Sequence, residues 1–312
     1  MANELTWGLP VILYLFLAGT GAGAVTVSAS VLLRGGGFGR SRMEVARYGA
    51  LIGPLPVIIG TALITLELGA PFRVLNLFKV INLSPMSIGT WFLASFIVFS
   101  LAYAAAFLVP ARHAWAAPLR TALAWVCLPF GIGVAVYTGI LLGAMPSRPL
   151  WNSPIIAFLF LMSALSTGTA IILLFMALFR RQAADETLES EFDNSSYLLT
   201  ASDAILLAAE LCVIFLFIMF AHLTIGSTKE AVRVILPGGE MSAPFWWGVV
   251  AAGILVPFAI EILLITPKLL YSAEYRAQRG IEVAVPVLVL TGGFALRYVI
   301  VVAGQITGPV GL

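Results

Sequence analysis

The feature that most constrains this chain is a set of eight apolar runs, each long enough to cross a lipid bilayer and almost free of charge. A helix needs about 20 such residues to span a hydrocarbon layer roughly 30 Å thick. The runs cover approximately 9–33, 48–68, 88–109, 119–144, 154–179, 204–225, 245–266 and 284–306. They are continuous rather than alternating, which excludes a transmembrane β-barrel. The expected fold is therefore an all-α integral membrane protein with eight transmembrane helices. Charged residues make up 10% of the chain and the mean hydropathy is +1.04. An ordinary soluble domain carries roughly 25% charged residues, so a soluble globular enzyme is excluded. The net charge of +2 is too small and too scattered for a nucleic-acid surface. The first run has no basic n-region or small-residue cleavage site before it, so it reads as a retained span rather than a signal peptide.

Orientation follows from Lys and Arg in the connections. Those after spans 1, 3, 5 and 7 hold Arg34, Arg40, Arg42, Arg47, Arg112, Arg120, Arg180, Arg181, Lys268, Arg276 and Arg279. Those after spans 2, 4 and 6 hold only Arg73, Lys79, Arg148, Lys229 and Arg233. Eleven against five puts both termini outside, on the periplasmic face of a bacterial inner membrane. The acidic run Asp185, Glu186, Glu189, Glu191, Asp193 then falls in an inner loop and reads as a solvated connector. Between Pro71 and Asn82, Arg73, Asn76 and Lys79 recur every three residues among apolar ones, which predicts a short amphipathic helix lying flat in the outer interface.

The chain also repeats itself. Trp7-x-x-Pro10 with Leu15-Phe16-Leu17 recurs as Trp151-x-x-Pro154 with Leu159-Phe160-Leu161. Met86-Ser87 with Trp91 recurs as Met241-Ser242 with Trp246, and Gly131 with Tyr137 as Gly292 with Tyr298. The pairs keep their order, which predicts two four-helix bundles, residues 1–146 and 147–312, related by an axis along the membrane normal.

An ionisable group inside a span costs about 2.5–3.5 kcal/mol on insertion scales, so each needs a partner or a purpose. Glu67 closes span 2 and His222 closes span 6, both near the outer face. Glu210 and Glu261 lie in the inner halves of spans 6 and 7, and Arg297 near the middle of span 8. These last three read either as internal ion pairs that fix packing or as stations of a proton route ending at His222 or Glu67. His222 also reads as an ordinary interfacial histidine. Tyr137 reads as a belt anchor or as a hydrogen-bonding group in a site near the outer face. The small-residue runs Gly19–Ala24 and Ser163–Gly168 read as close helix packing. Cys127 and Cys212 form no CxxC pair, and His113 and His222 fall at opposite faces, so no iron–sulfur, zinc or bis-histidine haem site is expected.

Several motifs now converge: Trp7-x-x-Pro10, Tyr14 to Gly19, Glu67-Leu68-Gly69-Ala70-Pro71, Ser84-Pro85-Met86-Ser87-x-Gly89-x-Trp91, Tyr137-Thr138-Gly139 and Arg148-Pro149-x-Trp151-Asn152. Together they resemble the polysulfide reductase membrane-subunit family, often called NrfD-like. That resemblance implies a cofactor-free membrane anchor that binds a quinone, menaquinone or ubiquinone, near the outer face. It implies a ferredoxin-like iron–sulfur partner and a molybdopterin catalytic subunit. It also implies that Tyr137 and Glu67 contact the quinone headgroup. Arg148, Trp151, Asn152 and Ser87 complete the expected contact set. The family more usually has Asp-Leu-Gly-Arg-Pro after span 2, and some members place a histidine in span 1; this chain has neither.

The expected mechanism places a quinone headgroup between spans 1, 2 and 4. Tyr137 and Asn152 orient its oxygens, and Glu67 exchanges the accompanying proton. The chain is then the quinone-reactive subunit of a respiratory oxidoreductase complex, with proton translocation through Glu261, Glu210 and Arg297 as an extension. The rival class is a secondary transporter, because duplicated bundles with midplane charges also fit alternating access, and Gly53-Pro54-Leu55-Pro56 breaks span 2. A purely structural anchor with an empty pocket is the third reading.

Overall fold

A computed structural model describes residues 7–34, 42–67, 84–110, 112–179, 186–271, 275 and 277–307. Among them are eight helices of spanning length, with no strand. They are α1 (Leu9–Arg34), α2 (Arg42–Glu67), α3 (Pro85–Leu108), α4 (Ala116–Gly143), α5 (Pro154–Phe179), α6 (Glu186–Leu223), α7 (Pro244–Tyr271) and α8 (Arg279–Ile306). A short helix, Ser227–Val232, lies between α6 and α7. The all-helical expectation holds, span for span. The amphipathic segment expected between Pro71 and Asn82 lies outside the described residues, as does the turn from Leu68 to Pro71.

Two spans are not regular. Pro54 has no N–H to donate, and α2 divides there into Arg42–Ile52 and Pro54–Glu67 with Gly53 between them. The first half of α7, Pro244–Leu255, is π-helical before it becomes α-helical at Val256. One expectation is corrected: from Glu186 onward the acidic segment is not a loop but the opening turns of α6. Carboxylates at a helix N-terminus interact favourably with the helix dipole, so this segment can continue the apolar span as helix.

Packing is led by α1, which lies against α2, α4, α5 and α8. Small residues make this possible. A Cβ on Gly23 would collide with the Ala164 carbonyl, and one on Gly168 with the Gly23 backbone, so α1 and α5 cross backbone to backbone. Around that crossing the neighbours run α1–α2–α3–α4 and back to α1, then α5–α6–α7–α8 and back to α5. The apolar core continues across both sets. Hydroxyls within the spans bond back to carbonyls one turn earlier, as Thr26 does to Ala22 at 2.7 Å and Thr61 to Val57 at 2.7 Å, which leaves few polar groups unpaired in lipid.

The two sides of the protein are fastened differently. On one side Arg120 is buried in α4 and donates through Nε to the Ala106 carbonyl at 2.9 Å and through Nη2 to the Val109 carbonyl at 2.6 Å, which caps the end of α3. On the other side the α4–α5 connection carries buried Trp151. These are called below the Arg120 side and the Trp151 side.

Candidate functional site

A cavity of about 140 Å³ opens between α1, α2, α3 and α4 toward the Trp151 side. Tyr14 comes from α1, Thr61, Ile64 and Thr65 from α2, Met86, Gly89, Thr90 and Leu93 from α3, and Tyr137 and Leu141 from α4. Gly89 is what makes the shape. A side chain there would occupy the position of the Tyr137 ring, so its absence lets that ring lie on the α3 backbone. Gly60 likewise brings α2 against the Tyr14 backbone, with 3.3 Å left for a Cβ. The threonine hydroxyls of the wall are already spent on the helix, Thr65 to the Thr61 carbonyl at 2.7 Å and Thr90 to the Met86 carbonyl at 2.8 Å. Tyr14 and Tyr137 are neighbours, and neither hydroxyl has a hydrogen-bond partner among the described residues. The cavity is therefore an apolar slot with two phenolic donors still to be satisfied.

The other expected headgroup residues are placed around this slot rather than along it. Glu67 ends α2, is exposed, and sets its Oε1 beside Gly8. Ser87 is buried in the first turn of α3, where Ser84 Oγ accepts from its backbone N–H at 3.3 Å, and its own hydroxyl is unpartnered. Asn152 is exposed in the α4–α5 connection. Trp151 and Arg148 belong to a clasp: the Trp151 indole donates to the Ile300 carbonyl at 2.7 Å, and Arg148 Nη1 to the Gln305 carbonyl at 2.7 Å. Gln305 in turn accepts from the Trp7 N–H at 2.8 Å and donates to the Trp7 carbonyl at 3.1 Å, while the rings of Trp7 and Trp151 meet at a tilt of 34° with centroids 5.1 Å apart. The clasp ties the start of α1 and the turn before α5 to the end of α8. Tyr14 has no individual role in the motif reading of the sequence. A second tyrosine inside an apolar span facing the first is the signal that could have marked it.

A second group of polar residues lies inside α5, α6, α7 and α8. Arg297 is fully buried, donates through Nη1 to Ser163 Oγ and to the Gly293 carbonyl at 2.9 Å, and stands over the Phe160 ring at 5.2 Å. Its Nη2 also comes within 3.2 Å of where a Cβ on Gly19 of α1 would sit. Glu210 lies beside Ser163 and Arg297, so the serine links acid and base. Glu261 is not part of that pair. It faces Asp203 of α6, a residue that hydropathy leaves just outside the sixth apolar run. His222 is exposed on α6, in an apolar groove with Cys212 and Trp246, apart from this group. Among the described residues no three His, Cys, Asp or Glu side chains form a metal-ligand set.

The sequence profile of the family described as "Polysulphide reductase, NrfD" matches residues 1–309. The chain belongs to this family. The C subunit of the Wolinella succinogenes polysulfide reductase is 29% identical over 320 residues, covering 97% of this chain and 95% of that protein. Protein NrfD of Escherichia coli is 29% identical over 330 residues, covering 98% and 96%. A Protein NrfD homolog of Haemophilus influenzae is 26% identical over 322 residues, covering 97% and 96%. The likeness runs through all eight spans and is not confined to the Tyr137 or Trp151 motifs. With its eight apolar helices, this NrfD-family member is a multi-pass membrane protein.

Proposed function

We propose that this protein is the membrane subunit of a respiratory oxidoreductase that binds a quinone or quinol in the Tyr14–Tyr137 cavity and exchanges electrons with an iron–sulfur partner docked over the Trp151 side. The observation that carries this is the pair of unsatisfied phenol hydroxyls in an otherwise apolar slot. Such a slot suits a flat apolar ring system bearing two carbonyl oxygens. A quinone held there supplies two-electron, two-proton chemistry. Tyr137 and Tyr14 donate hydrogen bonds to its oxygens and fix its orientation. Glu67 at the rim accepts or returns a proton at its carboxylate, where it also meets water. Ser87 adds a buried hydroxyl one residue from the wall. Arg148, Trp151 and Asn152 hold the face over the slot on which the partner sits, and a molybdopterin subunit completes the complex. That face is periplasmic, in a bacterial inner membrane; the excess of Lys and Arg in the connections after spans 1, 3, 5 and 7 supports this orientation. The same helix-neighbour order in residues 1–146 and 147–312 supports the duplication read from the sequence.

A proton-coupled form of this function is favoured by the line of buried groups Glu261, Glu210 and Arg297, the last of which reaches α1 at Gly19. The transporter reading is not favoured. α6, which holds in its ring the place α2 holds in the first, runs unbroken from Glu186 to Leu223.

The test is to replace Tyr137 and Tyr14 by Phe, singly and together, in the assembled complex. Each loss of a hydrogen bond is worth about 1 kcal/mol, so quinone-linked turnover at limiting quinone falls roughly fivefold per substitution. Dye-linked activity of the partner stays unchanged. Unaltered quinone kinetics in the double variant would remove the cavity from consideration.

A further inference from the structure

The protein buries two carboxyl groups where neither has a base to neutralise it. Asp203 of α6 is fully buried and Glu261 of α7 is 1% exposed; the two are immediate neighbours, and no donor among the described residues stands in ordinary hydrogen-bond geometry to any of their four oxygens. Ser166 Oγ of α5 lies beside Asp203, fully buried and likewise without a hydrogen bond. Arg297, the buried cation of this region, is engaged one level higher with Ser163 and Glu210. Two adjacent carboxylates in a low-dielectric interior do not both ionise; they share a proton.

The pair is also reachable. A cavity of about 30 Å³, room enough for ordered water, touches Glu261 and continues past Thr200 and Tyr275 to Glu282 and Pro286. It lies on the Arg120 side, away from the tyrosine slot. The Thr200 and Tyr275 hydroxyls meet at 3.3 Å along it. Burial holds the Tyr275 phenol above its ordinary titration range, so it keeps its proton and relays by rotating its O–H. The charged or titratable groups facing the pair and its cavity are Glu210 from α6, Tyr275 before α8 and Glu282 from α8, while Arg297 faces Glu210.

We propose that Asp203 and Glu261 together hold one exchangeable proton that is loaded from water on the Arg120 side through the Thr200–Tyr275 cavity. A proton from hydronium at the cavity replaces one that passes upward past Ser166 toward the Glu210 carboxylate, so the pair is never left doubly ionised. Only O–H bonds form and break, and no electron moves. The use of this proton in turnover rests on the proton-coupled reading above; its presence and its route of exchange do not.

Infrared spectra of the intact complex in lipid, transferred from water to deuterium oxide, test this directly. The wild type shows a protonated-carboxyl stretch that shifts on exchange, and the Asp203→Asn, Glu261→Gln double variant abolishes it. Absence of that band, or its survival in that double variant, overturns the shared proton. A Thr200→Val, Tyr275→Phe double variant keeps both carboxyl groups, so it remains informative if the first does not assemble. Its band persists while exchange slows roughly tenfold; exchange at the wild-type rate overturns the route. Tyr137→Phe leaves band and exchange unchanged, so failure of the quinone reading and failure of this one are separable.

Discussion

A guanidinium is tolerated inside a helix bundle only when acceptors surround it, and Arg297 shows how few can suffice. Ser163, the Gly293 and Phe160 carbonyls and the Phe160 ring take its two terminal nitrogens, while Nε has no partner among the described residues. Glu210 balances the charge through Ser163. Removing one member of such a buried pair leaves an uncompensated charge, which costs about 3–5 kcal/mol. Arg297→Met therefore lowers the thermal stability of the purified subunit sharply. The double variant Arg297→Met, Glu210→Gln loses clearly less than the sum of the two single changes, because no lone charge remains. Strict additivity in a thermal-melt cycle would show that the two residues act separately. Lysine at position 297 is no substitute, since an ammonium lacks the planar fork that reaches Ser163 and Gly293 together.

At the scale of helices, the crossing of α1 and α5 sets the spacing of the structure. A methyl group on Gly168 would meet the Gly23 backbone closer than van der Waals contact, whereas one on Gly280 near the start of α8 would meet nothing within 4 Å. Gly168→Ala thus forces backbone against backbone and costs about 1–3 kcal/mol. Gly280→Ala removes freedom from the unfolded chain and adds a few tenths to about 1 kcal/mol of stability. Equal melting temperatures for the two variants would contradict the close crossing. This part of the fold was legible in advance, because a run such as Gly19–Ala24 in lipid has little use except close approach. The spans were legible for a similar reason, since bilayer thickness fixes their length. The partners of the ionisable groups were not. Asp203 falls one residue before the apolar run at Ala204, so it reads as loop; the helix that buries it begins at Glu186, among carboxylates that hydropathy discards. The Trp151 indole hydrogen-bonds a carbonyl 149 residues away, a pairing that no local motif encodes.

For the whole molecule, every functional statement turns on which side of the membrane carries Trp151. The tyrosine slot opens toward that side and the Asp203–Glu261 cavity toward the other, so quinone chemistry and proton loading are separated across the bilayer only if the molecule has one fixed orientation. Charge alone assigns it, and part of that charge does no topological duty: Arg120, counted as a loop residue, is buried in α4 capping α3. Withdrawing it leaves ten cations in the connections after spans 1, 3, 5 and 7 against five in those after spans 2, 4 and 6, so the bias in the sequence survives. Two exposed positions report the answer, Asn152 on the Trp151 side and His113 on the Arg120 side. The native thiols interfere little, since Cys127 is buried and Cys212 faces the apolar groove of α6. In intact spheroplasts a membrane-impermeant maleimide labels Asn152→Cys directly and His113→Cys only after permeabilisation. The reverse pattern would put the quinone slot at the cytoplasmic surface and the proton cavity at the periplasmic one. A partner docked over Trp151 would then have to be cytoplasmic, and proton loading would run from the wrong side for turnover to conserve energy.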